Sequence, residues 1–188
     1  AILPVGLQPK YGLKQDSVFP EFDYGYHPHM VNLYKEKTGI NPIDLPNPAT
    51  DPGWLQFRLD ELNKTVHELR EHIRDQGLEA TAAVFPTPAM ARQMVRQEWN
   101  TWDLDKYFPM VYHNFYNEDA DWIKAVTSEN KSVIPKGQKI ITGLYLPALK
   151  NPEELEAAIQ AAKDGGADGI AFFEHRGLTP EMYDVIRS

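Results

Sequence analysis

Three stretches of this 188-residue chain crowd flat rings against hydrogen-bonding groups. One is Tyr112-His113-Asn114-Phe115-Tyr116. Another is Phe172-Phe173-Glu174-His175-Arg176. The third lies near the start, in Phe22-Asp23-Tyr24-Gly25-Tyr26-His27. Aromatic faces suit the C–H faces of a sugar, and amide, imidazole, phenol and carboxylate groups suit its hydroxyls. Cleaving a glycosidic bond adds a demand for two carboxyl groups, about 5 Å apart for retention or roughly 6.5–9.5 Å apart for inversion. Glu174 follows two phenylalanines, and that apolar setting suits a general acid. Asp16, Glu21 and Asp23 are the carboxylates available on the early loop, and Asp23, flanked by Phe22 and Tyr24, can contact a sugar. Each has a plainer reading. Glu174 can pair with Arg176, and Asp23 can tie its own loop through backbone amides. His113 is either an acid–base or hydroxyl-binding group or a structural histidine.

Other chemistries find less support. His27 and His29 form a His-x-His pair, but Pro28 intervenes and no third ligand is evident, so no metal site is expected. His27 reads as a turn residue. Gly165, Gly166 and Gly169 lie between a helix and a strand, the reverse of a phosphate loop. The chain has no cysteine, which excludes disulfides and thiolate chemistry. Its formal net charge is −8, and no basic patch stands out, so nucleic acid is not an expected partner. No apolar run approaches the roughly 20 residues that a membrane span needs. Residues 1–13 lack the basic and apolar regions of a signal peptide. No cofactor is implied.

The elements that must hold these groups alternate. Residues 1–53 are rich in proline and glycine and read as a long loop with one short helix, from about Pro28 to Lys37. Asp51-Pro52 caps a long helix, on which Leu55, Leu59, Leu62, Val66, Leu69 and Ile73 recur at helical spacing through Asp75. His67 and His72 fall on its solvent face. Residues 80–85 read as a buried strand, and Thr87-Pro88 opens the next helix. Strands then follow at residues 107–112, 139–146 and 169–173. Helices begin near Glu118, at Asn151-Pro152 and at Thr179-Pro180. Four strands alternating with helices predict one α/β domain with a parallel sheet, either a small open sheet or part of a barrel.

The order of several segments resembles the family-10-like glycosyl hydrolases. They are Phe22-Asp23-Tyr24-Gly25-Tyr26-His27-Pro28, Tyr34-Lys35-Glu36-Lys37-Thr38-Gly39-Ile40-Asn41-Pro42 and Trp54-Leu55-Gln56-Phe57-Arg58. Ala82-Ala83-Val84-Phe85-Pro86, Trp99, Trp102, Phe108-Pro109-Met110-Val111-Tyr112 and Ala167-Asp168-Gly169-Ile170 complete the series. The resemblance spans nearly the whole chain. It implies the C-terminal half of a TIM (β/α)8 barrel, with these strands as the fifth to eighth. It implies a putative glycoside hydrolase acting on a polysaccharide or oligosaccharide outside the cytoplasm. The family's fourth strand carries a His-Leu-Asp-Tyr type of motif that is expected upstream of Ala1.

In such barrels the site lies at the C-terminal ends of the strands. That placement makes Glu174, Asp23 and His113 the catalytic candidates. The substrate-binding candidates are Tyr24, Tyr26, Phe85, Tyr112, Asn114 and Tyr116, with Tyr145, His175 and Arg176. The alternative reading is a non-catalytic glycan-binding or self-assembling half-barrel. Four parallel strands alone leave two edges unpaired, so the expected partners are a carbohydrate and either the N-terminal half-barrel or a second copy.

Overall fold

The computed structural model describes residues 25–175 and 177–187. Three site candidates, Asp23, Tyr24 and Arg176, therefore lie outside the described residues. Helix α1 (Pro28–Thr38) begins where His27 accepts the His29 N–H at 3.3 Å, so His27, expected in a turn, is the helix N-cap in extended backbone. Gly39 ends the helix at φ 76°, a left-handed conformation that glycine adopts without strain. Helix α2 (Pro52–Asp75) starts on Asp51, whose side chain accepts the Trp54 N–H at 2.7 Å. Its buried face carries Trp54, Phe57, Leu59 and Val66. Leu69, expected on that stripe, is 41% exposed, while His67 and His72 face solvent as expected.

The alternation continues through β1 (Thr81–Val84), α3 (Pro88–Val95), β2 (Lys106–Pro109) and α4 (Ala120–Val133). It ends with β3 (Lys139–Tyr145), α5 (Pro152–Asp164), β4 (Gly169–Phe173) and α6 (Pro180–Arg187). Proline at the first turn and a side-chain cap start α3 on Thr87 and α5 on Asn151. The sheet has four strands in the order β1-β2-β3-β4, and every neighbouring pair is parallel. None of the described helices is long and apolar enough to cross a membrane.

Sequential order has a consequence for the layers. Each crossover moves one strand over in the same direction, so right-handed connections deliver every helix to one face. The packing agrees. Ala82, Val84, Tyr107 and Ile140 join Val66 of α2 and Ala91 of α3 in one core cluster. Leu144, with Ile170 and Phe172 packed against its cluster, meets Ile123, Val126, Leu155, Ala158 and Met182 from α4, α5 and α6. The register puts these strand residues in shared rows, Ala82 beside Tyr107 beside Ile140, and Leu144 beside Phe172. The alternate residues point the other way. Ala83, Phe108, Ile141, Tyr145 and Ala171 are only partly covered, and Phe173 is 54% exposed. Among the described residues, one face of the sheet is thus packed under helices and the other is open. Among the described strands, β1 and β4 are the edges. This arrangement is compatible with half of a barrel, whose second face would become the interior.

Two aspartates fix the N-terminal ends of the strands. Asp105, just before β2, accepts the Ala80 N–H at 2.8 Å. Asp168, just before β4, accepts the Ile140 N–H at 2.8 Å and also binds Lys131. Burial pushes the Asp168 carboxyl up, but those two bonds and the charges of Lys131 and Lys139 outweigh it and hold it below the usual range. The Asp168 of the Ala167-Asp168-Gly169-Ile170 segment is therefore a structural tie between strands, at the end of the sheet opposite the candidate site.

Candidate functional site

The C-terminal strand ends gather four rings. Tyr145 closes β3 and sits directly beside Phe173, the last residue of β4. Their ring centroids are 6.2 Å apart with planes at 27°. Tyr112 lies 5.9 Å from Phe173 in a stacked arrangement and 5.7 Å from Tyr145. Phe115 meets Tyr145 at 4.8 Å and Tyr112 edge-on at 5.6 Å. Phe115 is 60% exposed. Two large apolar rings thus face solvent inside a tight aromatic group. Monomeric proteins avoid such concentrations unless they cover something.

Local chain geometry builds this platform. The strand expected over residues 107–112 stops at Pro109, although Met110 still bridges to Gly143. Val111 donates to the Pro109 carbonyl at 2.9 Å and His113 to the Val111 carbonyl at 3.1 Å. These tight successive turns swing the chain out of the sheet. Residues His113–Tyr116 then form a short 3-10 helix, which brings Phe115 back beside Tyr112. Gly143 makes room for Tyr112. A Cβ there would lie 3.5 Å from the Tyr112 ring and only 2.8 Å from the Pro109 carbonyl oxygen.

The other candidates spread around this group. Tyr116 packs against Trp122 at 5.4 Å instead of joining the platform. Burial raises the phenols of Tyr112 and Tyr116, so both remain neutral donors and acceptors at ordinary pH. Asn114 and His175 are exposed, and Glu174 is half-buried immediately after Phe173. The Phe173–Glu174 peptide bond is cis. Phe85 packs against the core cluster around Trp99, and Tyr26 belongs to a separate aromatic group. There Tyr26 lies 5.7 Å from Trp54, and the Arg58 guanidinium sits 4.8 Å over Trp54. The structure thus brings together the rings of Tyr112 and Tyr145, with His113 next in the chain after Tyr112 and Glu174 next after Phe173. It places Tyr26 and Phe85 in other packing groups. Phe115 and Phe173 were not singled out from sequence. The signal for Phe173 was its odd position in β4, opposite in direction to Ile170 and Phe172.

His113 is the most telling polar group. Its Nδ1 is buried and has no hydrogen-bond partner among the described residues. Burial lowers its pKa, and the negative charges of Asp119 and Glu154 only partly restore it. The imidazole is therefore held toward its neutral form, which can accept or donate at a substrate hydroxyl. A stability consequence follows. The unfolded chain binds this proton at higher pH than the folded chain does. Stability is full above the ordinary histidine value of about 6.5 and falls as pH drops from there through the folded value. We expect the urea midpoint to decline between pH 7.5 and 5 more steeply in the native chain than in His113→Gln. Parallel profiles would refute the buried, proton-poor imidazole.

Among the described residues no three His, Asp or Glu side chains gather as a metal site would require. Comparison with protein-family models and with curated proteins returns no match. The described residues form an α/β arrangement of four parallel strands with helices on one face and an aromatic platform at the C-terminal strand ends.

Proposed function

We propose that this chain carries part of the sugar-binding cleft of a glycoside hydrolase with a (β/α)8 barrel, of which the described strands are half. The observation that carries the reading is the exposed platform of Tyr112, Phe115, Tyr145 and Phe173. It lies at the strand ends where barrel enzymes bind their substrates. Flat rings on that end, with an imidazole and a carboxylate next in the chain, suit the face and rim of a pyranose. Glu174 directly follows β4 and is the candidate general acid, and His113 bonds a hydroxyl or assists proton transfer. The second carboxyl group required for hydrolysis comes from Asp23 or from the other half of the barrel. An enzyme of this kind works on polysaccharide outside the cytoplasm.

The open sheet face favours a companion reading. Among the described residues the sheet leaves one face open and two edges unpaired, and four more strands would cover them. They come from the N-terminal half-barrel or from a second copy. If they bring no chemistry, the assembly is a glycan-binding module.

The test is titration of the chain with β-1,4-linked hexasaccharides, followed by calorimetry. We expect binding, and a loss of roughly tenfold or more in Tyr145→Ala, the size expected when a central ring of a binding surface is removed. The variant should keep its far-ultraviolet circular dichroism. Absence of binding to neutral oligosaccharides up to millimolar concentration would sink the proposal.

A further inference from the structure

The charge around the platform is lopsided. Glu118 and Asp119 follow the Tyr112–Tyr116 segment, Glu153 and Glu154 open α5, and Glu174 follows β4. All but Glu174 are exposed. Against these five carboxylates, the described segments that bear them, residues 112–119, 150–154 and 173–175, carry one full cation, Lys150, along with His113 and His175. Arg176 adds a second cation in the sequence but lies outside the described residues. The helix N-termini temper this field. Asp119 caps α4 through the N–H groups of Asp121 and Trp122, and Glu154 accepts the Lys150 N–H at 2.9 Å. Among the described residues Glu118 and Glu153 make no such side-chain bond. The negative field also reaches into the site, since Asp119 and Glu154 both favour the charged form of His113.

We infer that the platform selects glycans by charge, preferring an amine-bearing chain to a neutral one and disfavouring uronate or sulfated chains. This rests on the sugar-binding reading above. The aromatic rings have no sign preference among sugars of one stereochemistry, so stacking is common to all of them. Discrimination falls to the rim. A cleft lined by one sign of charge concentrates opposite charge and repels like charge, and salt weakens both effects. A carboxylate on each residue of a bound tetramer would face this rim with few basic partners to pair it.

The experiment compares β-1,4-linked tetramers of glucosamine, glucose and glucuronate at pH 6, where the amines carry charge. Calorimetry on the full chain reads the three affinities. At about 10 mM ionic strength we expect the amine tetramer to bind roughly tenfold more tightly than the glucuronate tetramer, with the glucose tetramer between them. At about 0.5 M salt the spread should fall to within roughly twofold. The double variant Glu118→Gln, Glu153→Gln should narrow the low-salt spread and leave the glucose tetramer within about twofold of its native affinity. If glucose and glucuronate tetramers bind equally at low salt, the charge selection is wrong while the sugar-binding reading stands. If no tetramer binds, the sugar-binding reading itself fails and this inference with it.

Discussion

Trp99→Ala is expected to destabilise the chain by about 3–5 kcal/mol, the range for removing a large buried aromatic side chain. Trp99 is fully buried, in the cluster that joins β1, β2 and β3 to α2 and α3. Its ring lies 5.4 Å from that of Tyr107, which is also fully buried. Tyr107 depends on the same surroundings. Its hydroxyl donates to the Trp102 carbonyl and accepts the Leu104 N–H at 3.3 Å. Burial, with the nearby charges of Asp103 and Asp105, pushes its phenol up to about 12 against the pull of the Leu104 N–H and the Arg70 charge. Alanine at 99 would leave a hole beside this network that backbone-tethered neighbours cannot fill. A domain holds only about 5–15 kcal/mol in reserve, so the variant would sit near its unfolding threshold. Urea denaturation measures it. Trp99→Phe is the control. It keeps most of the ring volume and removes an Nε1 that is buried without a partner among the described residues, so it should cost much less. A midpoint for Trp99→Ala within error of the native chain would mean that the Trp99 site collapses freely, contrary to the packing described.

The burial of Trp99 is set by contacts distant in sequence that no local pattern records. Capping is local, so helix starts were legible. Asp51-Pro52, Thr87-Pro88 and Asn151-Pro152 each carry their own cap and a proline at the first turn, and each begins a helix as read. Strand β4 was legible for a similar reason, because Gly165-Gly166 ends one element just before an apolar run begins at Gly169. Leu69 was misleading. Its spacing fits the apolar stripe of α2, but whether a turn is covered depends on what packs above it, and nothing in the local pattern records that. The end of β2 was missed in the same way. Residues 107–112 are uniformly apolar enough for a strand, and the turns at Val111 and His113 are set by hydrogen bonds whose partners the pattern does not reveal. The face assignment of the sheet required the strand order. Once that order was known, alternation alone sorted Tyr145 and Phe173 from Leu144 and Phe172. The platform's membership was therefore only half visible. Tyr112 and Tyr145 stand out as polar rings at strand ends, whereas Phe115 and Phe173, though within ring-rich stretches, carry no polar group that marks them as binding candidates.

Gly143→Ala tests whether that platform is built by backbone spacing, and it should both destabilise the chain and disturb the site. Gly143 lies within β3, on the open face, bridged by Met110. A Cβ there would come within 2.8 Å of the Pro109 carbonyl oxygen and 3.5 Å of the Met110 Cα. Both are backbone atoms of the neighbouring strand segment, so no side-chain rotation relieves the contact. The strands must part locally, which weakens the β2–β3 pairing just where it gives way to the turns that carry Tyr112. Overpacking of this kind costs about 1–3 kcal/mol, and the opposite reference, glycine's own entropy in a strand, offsets less than about 1 kcal/mol of it. The same Cβ lies 3.5 Å from the Tyr112 ring, so the parting moves the ring that stacks on Phe173. We therefore expect a lower urea midpoint together with weaker oligosaccharide binding at temperatures where the variant is still fully folded. Ala171→Gly is the matched control. It lies on the same row of the sheet, directly beside Gly143, and adds no atom near Tyr112. Loss of stability with unchanged binding in Gly143→Ala would separate the strand contact from the platform and show that Tyr112 holds its place without the glycine.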